Sequence, residues 1–329
     1  MRKLTYVQAI NEALRQIIAA DKRVFLIGQG VTSPWYVGAT TVGLYDEFGP
    51  ERIIDTPVSE NGVTGTAVGA AIAGMRPIVV HPRMDFMYYA MDSLANQAAN
   101  WHYMFAGKVN VPLVVWTIIN RGGEQGAQHS QALQAMFTHI PGLKVVMPST
   151  AYDVKGLLYA SVLDDNPVIF IDERWLYSET SDVPEDLYTV PLGKGIIRRP
   201  GKDVTVLATS FMVSEALKAA ADLEKDGISI EVLDPRSLKP FDEKLLLESL
   251  KKTGKLVVAD AAWKTCGFGA EVAALAAEKA FGYLKAPIER VALPDTPAPA
   301  ASSLENVYYP RAKDIIAAVK KAASYKYSR

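Results

Sequence analysis

Apolar positions along this chain follow two spacings that hand over to one another. Val7, Ile10, Leu14, Ile17 and Ile18 keep the helical period behind Thr5, a residue suited to capping a helix. Residues 23–28 (Arg-Val-Phe-Leu-Ile-Gly) then form a short continuous apolar run ending in glycine, as expected of a strand buried on both faces. The β-branched run Arg52-Ile53-Ile54 leads into a Pro-bearing turn and a helix of small residues. The same reading predicts strands over 76–81, 111–119, 143–148 and 168–171, with helices over 85–101 and 152–163. Residues 178–201 are polar and Pro-bearing, and beyond them the alternation resumes. Strands are predicted over 204–208, 229–233, 255–259 and 288–292, and helices over 214–226, 242–252, 270–281 and 312–323. Strands alternating with helices predict an α/β protein of two domains, each a mainly parallel sheet flanked by helices. The expected boundaries are a first domain over 1–180, a connector over 181–200 and a second domain over 201–329.

Composition narrows the class. With 329 residues, 49% hydrophobic and 22% charged, the chain has material for two cores. A net charge of -1 gives no electrostatic case for nucleic acid or an anionic membrane as partner. No apolar run approaches the roughly 20 residues of a membrane span. The N-terminal residues pass into the first helical pattern without a signal-peptide core. Cys266 is the one cysteine, which rules out an internal disulfide framework and fits a reducing compartment. A cytoplasmic location is expected. The four histidines show no zinc-site spacing with Cys266 or the carboxylates.

Three stretches carry candidate chemistry. The first is Asp55-Thr56-Pro57-Val58-Ser59-Glu60-Asn61-Gly62, which sets a lone carboxylate at the mouth of a helix. In that helix Gly65, Gly69 and Ala73 recur every four residues, leaving one face almost without side chains. The second is Met84-Asp85-Phe86-Met87-Tyr88-Tyr89-Ala90-Met91-Asp92, and the third Gly126-Ala127-Gln128-His129-Ser130-Gln131. Each residue also has a plain reading. Glu60 is a carboxylate of the kind the helix dipole favours in a first turn. Phe86 can be core, and a lone histidine is usually structural. Gly28-Gln29-Gly30 is not a dinucleotide fingerprint, because no helix carrying the remaining glycine follows.

Together these stretches resemble the beta subunit of the thiamine-diphosphate-dependent decarboxylase component of 2-oxo acid dehydrogenase complexes. That group includes the pyruvate, branched-chain and acetoin types, within the transketolase-like family. The resemblance runs over essentially the whole chain and extends to Leu233-Asp234-Pro235-Arg236-Ser237-Leu238-Lys239-Pro240 and Gly267-Phe268-Gly269-Ala270-Glu271. It implies a pyrimidine-binding domain over 1–180 and a transketolase C-terminal-like domain over 201–329. It also implies that Glu60 activates the cofactor through the far ring nitrogen of its aminopyrimidine, that Phe86 stacks on that ring, and that His129 handles substrate or a proton at the reacting carbonyl.

Departures matter too. The family's usual Gly-Glu-Asp is here Gly28-Gln29-Gly30, and neither Gly-Asp-Gly nor a P-loop occurs. The diphosphate and its Mg²⁺ are therefore expected on a separate alpha subunit, in an assembly of two alpha and two beta chains. Relatives also bind potassium through backbone oxygens matching Leu113, Ser161, Val162, Asp164 and Asn166; the plain reading is a helix end whose carbonyls are met by water. The implied activity is oxidative decarboxylation of a small 2-oxo acid, or cleavage of an acyloin, with transfer of the acyl unit to a lipoyl group on an acyltransferase partner. The alternatives are a split transketolase-like or acyloin-forming carboligase subunit, and a non-catalytic scaffold.

Overall fold

Thr5 opens the first helix with a capping box: its hydroxyl accepts from the Gln8 amide while the Gln8 side chain accepts from the Thr5 amide. The structure, a computed structural model, describes residues 2–33 and 35–326. It forms two units, one of Met1–Arg121 and Gln128–Leu192, the other of Gly122–Ala127 and Gly193–Arg329.

In the first unit the elements are β1 (Arg2–Thr5), α1 (Tyr6–Ala20), β2 (Val24–Gly28), α2 (Leu44–Phe48), β3 (Ile53–Asp55), α3 (Glu60–Ile72) and β4 (Arg76–His81). They continue with α4 (Trp101–Met104), β5 (Val114–Ile119), α5 (Gln134–His139), β6 (Lys144–Val146), α6 (Ala151–Leu163), β7 (Val168–Glu173) and β8 (Thr180–Val183). The strands β6-β7-β5-β4-β2-β3 lie side by side, each neighbouring pair parallel. Every residue of β2, β5 and β7 is buried, which explains why these strands read as continuous apolar runs rather than alternating ones. Gly28 ends β2 because a Cβ there would lie 2.5 Å from the Val80 carbonyl oxygen on β4. Polar groups are paired in this core: Trp116 Nε1 donates to Asp172 at 2.8 Å. Burial raises the Asp172 pKa to about 7.

The helix predicted over 85–101 is broken into three pieces: a 3-10 turn over Met84–Ala90, a π-helical turn over Asp92–Ala98, and α4. The apolar positions keep a roughly helical spacing, so the pattern could not distinguish tight, wide and regular coils. The backbone amide of Ala99 marks the wide part by donating to the Leu94 carbonyl, five residues back, at 3.0 Å. β5 starts at Val114, later than predicted: Pro112 has no N–H, and Leu113 turns to donate to Val111 at 2.8 Å.

The second unit contains β9 (Ile196–Arg199), β10 (Val204–Ala208), α7 (Phe211–Lys225), β11 (Ile230–Asp234), β12 (Ser237–Lys239), α8 (Glu243–Thr253) and β13 (Leu256–Trp263). α9 (Phe268–Ala280), β14 (Glu289–Leu293), α10 (Ser302–Tyr308) and α11 (Ala312–Ser324) complete it. Its sheet runs β14-β13-β10-β11-β9, parallel except for β9. β8 and β9 both fall within the polar stretch 178–201; β8 pairs antiparallel with β1, from Thr180 opposite Thr5 to Val183 opposite Arg2.

Candidate functional site

The parallel order of the first sheet brings the carboxyl ends of β2, β3, β4 and β5 to one edge, where ligands bind in open α/β sheets. Glu60 starts α3 just after β3, and Phe86 lies in the 3-10 turn after β4. His129 follows β5 in the chain. All three side chains are half-buried and line one cleft of about 250 Å³, together with Gln29, Tyr36, Val63, His81 and Arg83.

The 3-10 turn sets the geometry. Its tighter winding turns Asp85 inward, where one oxygen accepts from the Gln131 amide at 3.0 Å. The Leu133 amide meets the Met84 sulfur at 3.4 Å. The element that carries Phe86 therefore also anchors the segment that carries His129. The two rings meet edge-on, with centroids 5.3 Å apart and planes at 83°. Burial raises the Asp85 pKa, opposed by the Gln131 hydrogen bond and by His129. On the other side, Ser93 Oγ donates to Asn61 at 2.9 Å and ties the start of α3 to the π-helical turn.

His81, which sequence alone leaves as structural by default, lies in the cleft wall. It is buried, its Nε2 is 3.0 Å from Thr64 Oγ1, and burial lowers its pKa to about 4. It is therefore a neutral ring at neutral pH. The sequence held no signal for this beyond its place at the end of a strand.

The residues matched to potassium have other partners here. Arg76 Nη1 donates to the Val162 carbonyl at 2.7 Å and to the Asp164 carbonyl at 3.0 Å. The Leu113 carbonyl accepts from the Val168 amide at 2.9 Å, and Ser161 Oγ donates to the Leu157 carbonyl at 2.7 Å. The Asn166 amide donates to the Asp164 carboxylate at 2.9 Å. A potassium ion on this segment would have to share two of its carbonyls with a guanidinium. Among the described residues no group of three or more His, Cys, Asp or Glu is placed to hold a metal ion.

A carboxylate, an aromatic face and an imidazole around a cleft of this size fit one end of a heteroaromatic cofactor. Clefts that enclose whole ligands run to roughly 300–1,000 Å³, and this one is smaller. Residues 2–179 match the transketolase pyrimidine-binding domain, and 193–315 the transketolase C-terminal domain. The chain belongs to the transketolase-like beta subunits of 2-oxo acid and acetoin dehydrogenases. It is 45% identical to the beta subunit of acetoin:2,6-dichlorophenolindophenol oxidoreductase of Cupriavidus necator over 97% of both chains. It is 43% identical to the pyruvate dehydrogenase E1 component beta subunit of Rickettsia conorii, over 98% of this chain and 99% of that one. A solved split-gene transketolase, described as an inactive beta4 tetramer, superposes with a TM-score of 0.80 at 24% identity, covering 98% of each chain; that likeness concerns the fold. No helix among the described residues is long and apolar enough to cross a membrane.

Proposed function

We propose that this chain is the beta half of a thiamine-diphosphate-dependent decarboxylase component acting on a small 2-oxo acid or acyloin. The observation that carries the reading is the convergence of Glu60, Phe86 and His129 on one cleft. Thiamine diphosphate, when bound, supplies the carbon nucleophile for the substrate carbonyl. Glu60 holds a proton at the far ring nitrogen of the aminopyrimidine, Phe86 offers the face against which that ring lies, and His129 moves a proton at the substrate oxygen.

An alpha partner completes the site in this reading. The small-residue face of α3 supports it: Gly65, Gly69 and Ala73 are exposed, and a Cβ on Gly69 would meet nothing within 4 Å in this chain. So many glycines weaken a helix, and nothing within the chain requires the one at 69. A second backbone approaching that face would. We assign the diphosphate and Mg²⁺ to the alpha chain, in an assembly of two alpha and two beta chains, with a lipoyl acyltransferase as acceptor and the cytoplasm as location. Potassium would rest on the carbonyls of Leu113, Ser161, Val162, Asp164 and Asn166, sharing those of Val162 and Asp164 with the Arg76 guanidinium. Melting in potassium against sodium chloride tests that ion, and equal midpoints contradict it.

Reconstitution with an alpha chain bearing Gly-Asp-Gly tests the function. The complex should release carbon dioxide from pyruvate, or cleave acetoin, and acylate lipoamide. Condensation with an aldehyde in place of lipoamide acylation would favour the carboligase alternative, and a complex that never binds the cofactor would favour the scaffold.

A further inference from the structure

The chain leaving β2 is built around one aromatic side chain, that of Tyr36. Gly30 has φ +70, and a Cβ there would lie 2.1 Å from the Tyr36 ring, so any other residue at 30 would push the ring away. The Gln29 side-chain amide donates to the Tyr36 hydroxyl oxygen at 2.7 Å. The backbone between the two is tied down. Asp55, at the end of β3, accepts from the Gly30 amide at 2.9 Å and the Thr32 amide at 3.2 Å. Ser33 Oγ accepts from the Tyr36 amide at 3.2 Å, and Arg174 donates to the Tyr36 carbonyl at 3.2 Å. Gln29 and Tyr36 both line the cleft that holds Glu60 and His129.

The bond from Gln29 decides what the phenol can offer. An amide N–H only donates, so the Tyr36 oxygen accepts there and keeps its own proton for another partner. Among the described residues no group accepts that proton. A carboxylate at position 29 would take the phenol proton and turn the oxygen's lone pairs outward; with Gln29 the wall presents a donor. A fixed donor counts most where negative charge develops in the reaction, which is at the substrate's carbonyl oxygen. That oxygen has two lone pairs, one for the proton that His129 handles and one for a phenol. In a cleft of about 250 Å³, groups on different walls reach the same small ligand.

We propose that Tyr36, held by Gln29, is a further catalytic residue whose phenol donates a hydrogen bond to the substrate's carbonyl oxygen as that oxygen gains negative charge. The phenol keeps its proton throughout, so no bond is made or broken at Tyr36. The proposal rests on the function proposed above and adds a second group, beside His129, at the reacting oxygen. A 2-oxo acid and an acyloin share the carbonyl, so Tyr36 serves either.

The test uses the reconstituted alpha-beta complex loaded with thiamine diphosphate and Mg²⁺, with pyruvate and acetoin as alternative substrates. Tyr36→Phe keeps the ring over Gly30 and removes only the hydroxyl. It should lower kcat by on the order of 100-fold on whichever substrate the wild type uses, with little change in KM. Thiamine diphosphate affinity, measured by calorimetry on the same complex, should stay as in the wild type. Gln29→Met should lower kcat by less, and should add nothing in the Tyr36→Phe background, because both act through the one proton. An unchanged kcat in Tyr36→Phe, a loss confined to KM, a parallel loss of cofactor affinity, or additive losses in the double variant overturns the assignment. A wild-type complex that turns over neither substrate overturns the functional reading itself, and the Tyr36 assignment with it.

Discussion

The imidazole of His129 stands edge-on to the ring of Phe86, 5.3 Å between centroids, because the turn that carries Phe86 also accepts the Gln131 amide through Asp85. Rings at 83° are crossed rather than stacked, which sets the imidazole beside the Phe86 ring in the cleft.

From this arrangement His129→Ala should lower kcat by roughly 100- to 10,000-fold, the range of a general acid-base group. Cofactor affinity should change little, since the stacking face stays. Steady-state kinetics and cofactor titration on the alpha-beta complex check both halves. Lost cofactor binding with unchanged turnover per bound cofactor would give the histidine a different role.

The sheet and the cleft differed in how far the sequence revealed them. Buried parallel strands such as β2, β5 and β7 announce themselves, because both faces select apolar residues. Glu60, Phe86 and His129 stand in motifs whose match extends over the chain. The broken winding of 84–104 was not legible, since coils of three different pitches share nearly the same apolar spacing. Nor was the Arg76 guanidinium at the Val162 and Asp164 carbonyls: that contact joins residues 86 and 88 apart in the chain. β8 and β9 escaped because edge strands are short and partly polar, leaving little pattern to read.

His81 makes stability depend on pH. Its pKa falls from 6.5 to about 4 on folding, so the unfolded chain binds the extra proton. The stabilisation is fully present above about 6.5 and is lost as pH falls towards 4, by an amount on the order of 3 kcal/mol. Denaturant unfolding of wild type and His81→Asn between pH 7.5 and 4 (about the two ends of that range) should show a steeper decline in the wild type. Parallel curves would contradict a buried neutral imidazole.

Gly69→Leu probes the bare face of α3. A side chain there meets nothing within the chain, and leucine improves helix propensity by about 1 kcal/mol, so the variant should fold at least as well as wild type. Assembly with the alpha chain should fail or weaken strongly. Light scattering on the mixed chains decides: a normal tetramer carrying leucine at this position would move the interface elsewhere.

Glu60 carries the central claim. Glu60→Gln is nearly isosteric and removes a first-turn carboxylate worth about 0.3–1 kcal/mol to the helix, so the chain should remain folded and assembled. The direct measurement is turnover by the Glu60→Gln alpha-beta complex, with cofactor occupancy determined by calorimetry on the same sample. The account predicts near-normal thiamine diphosphate binding with activity reduced by orders of magnitude. Near-normal turnover at full occupancy would contradict it.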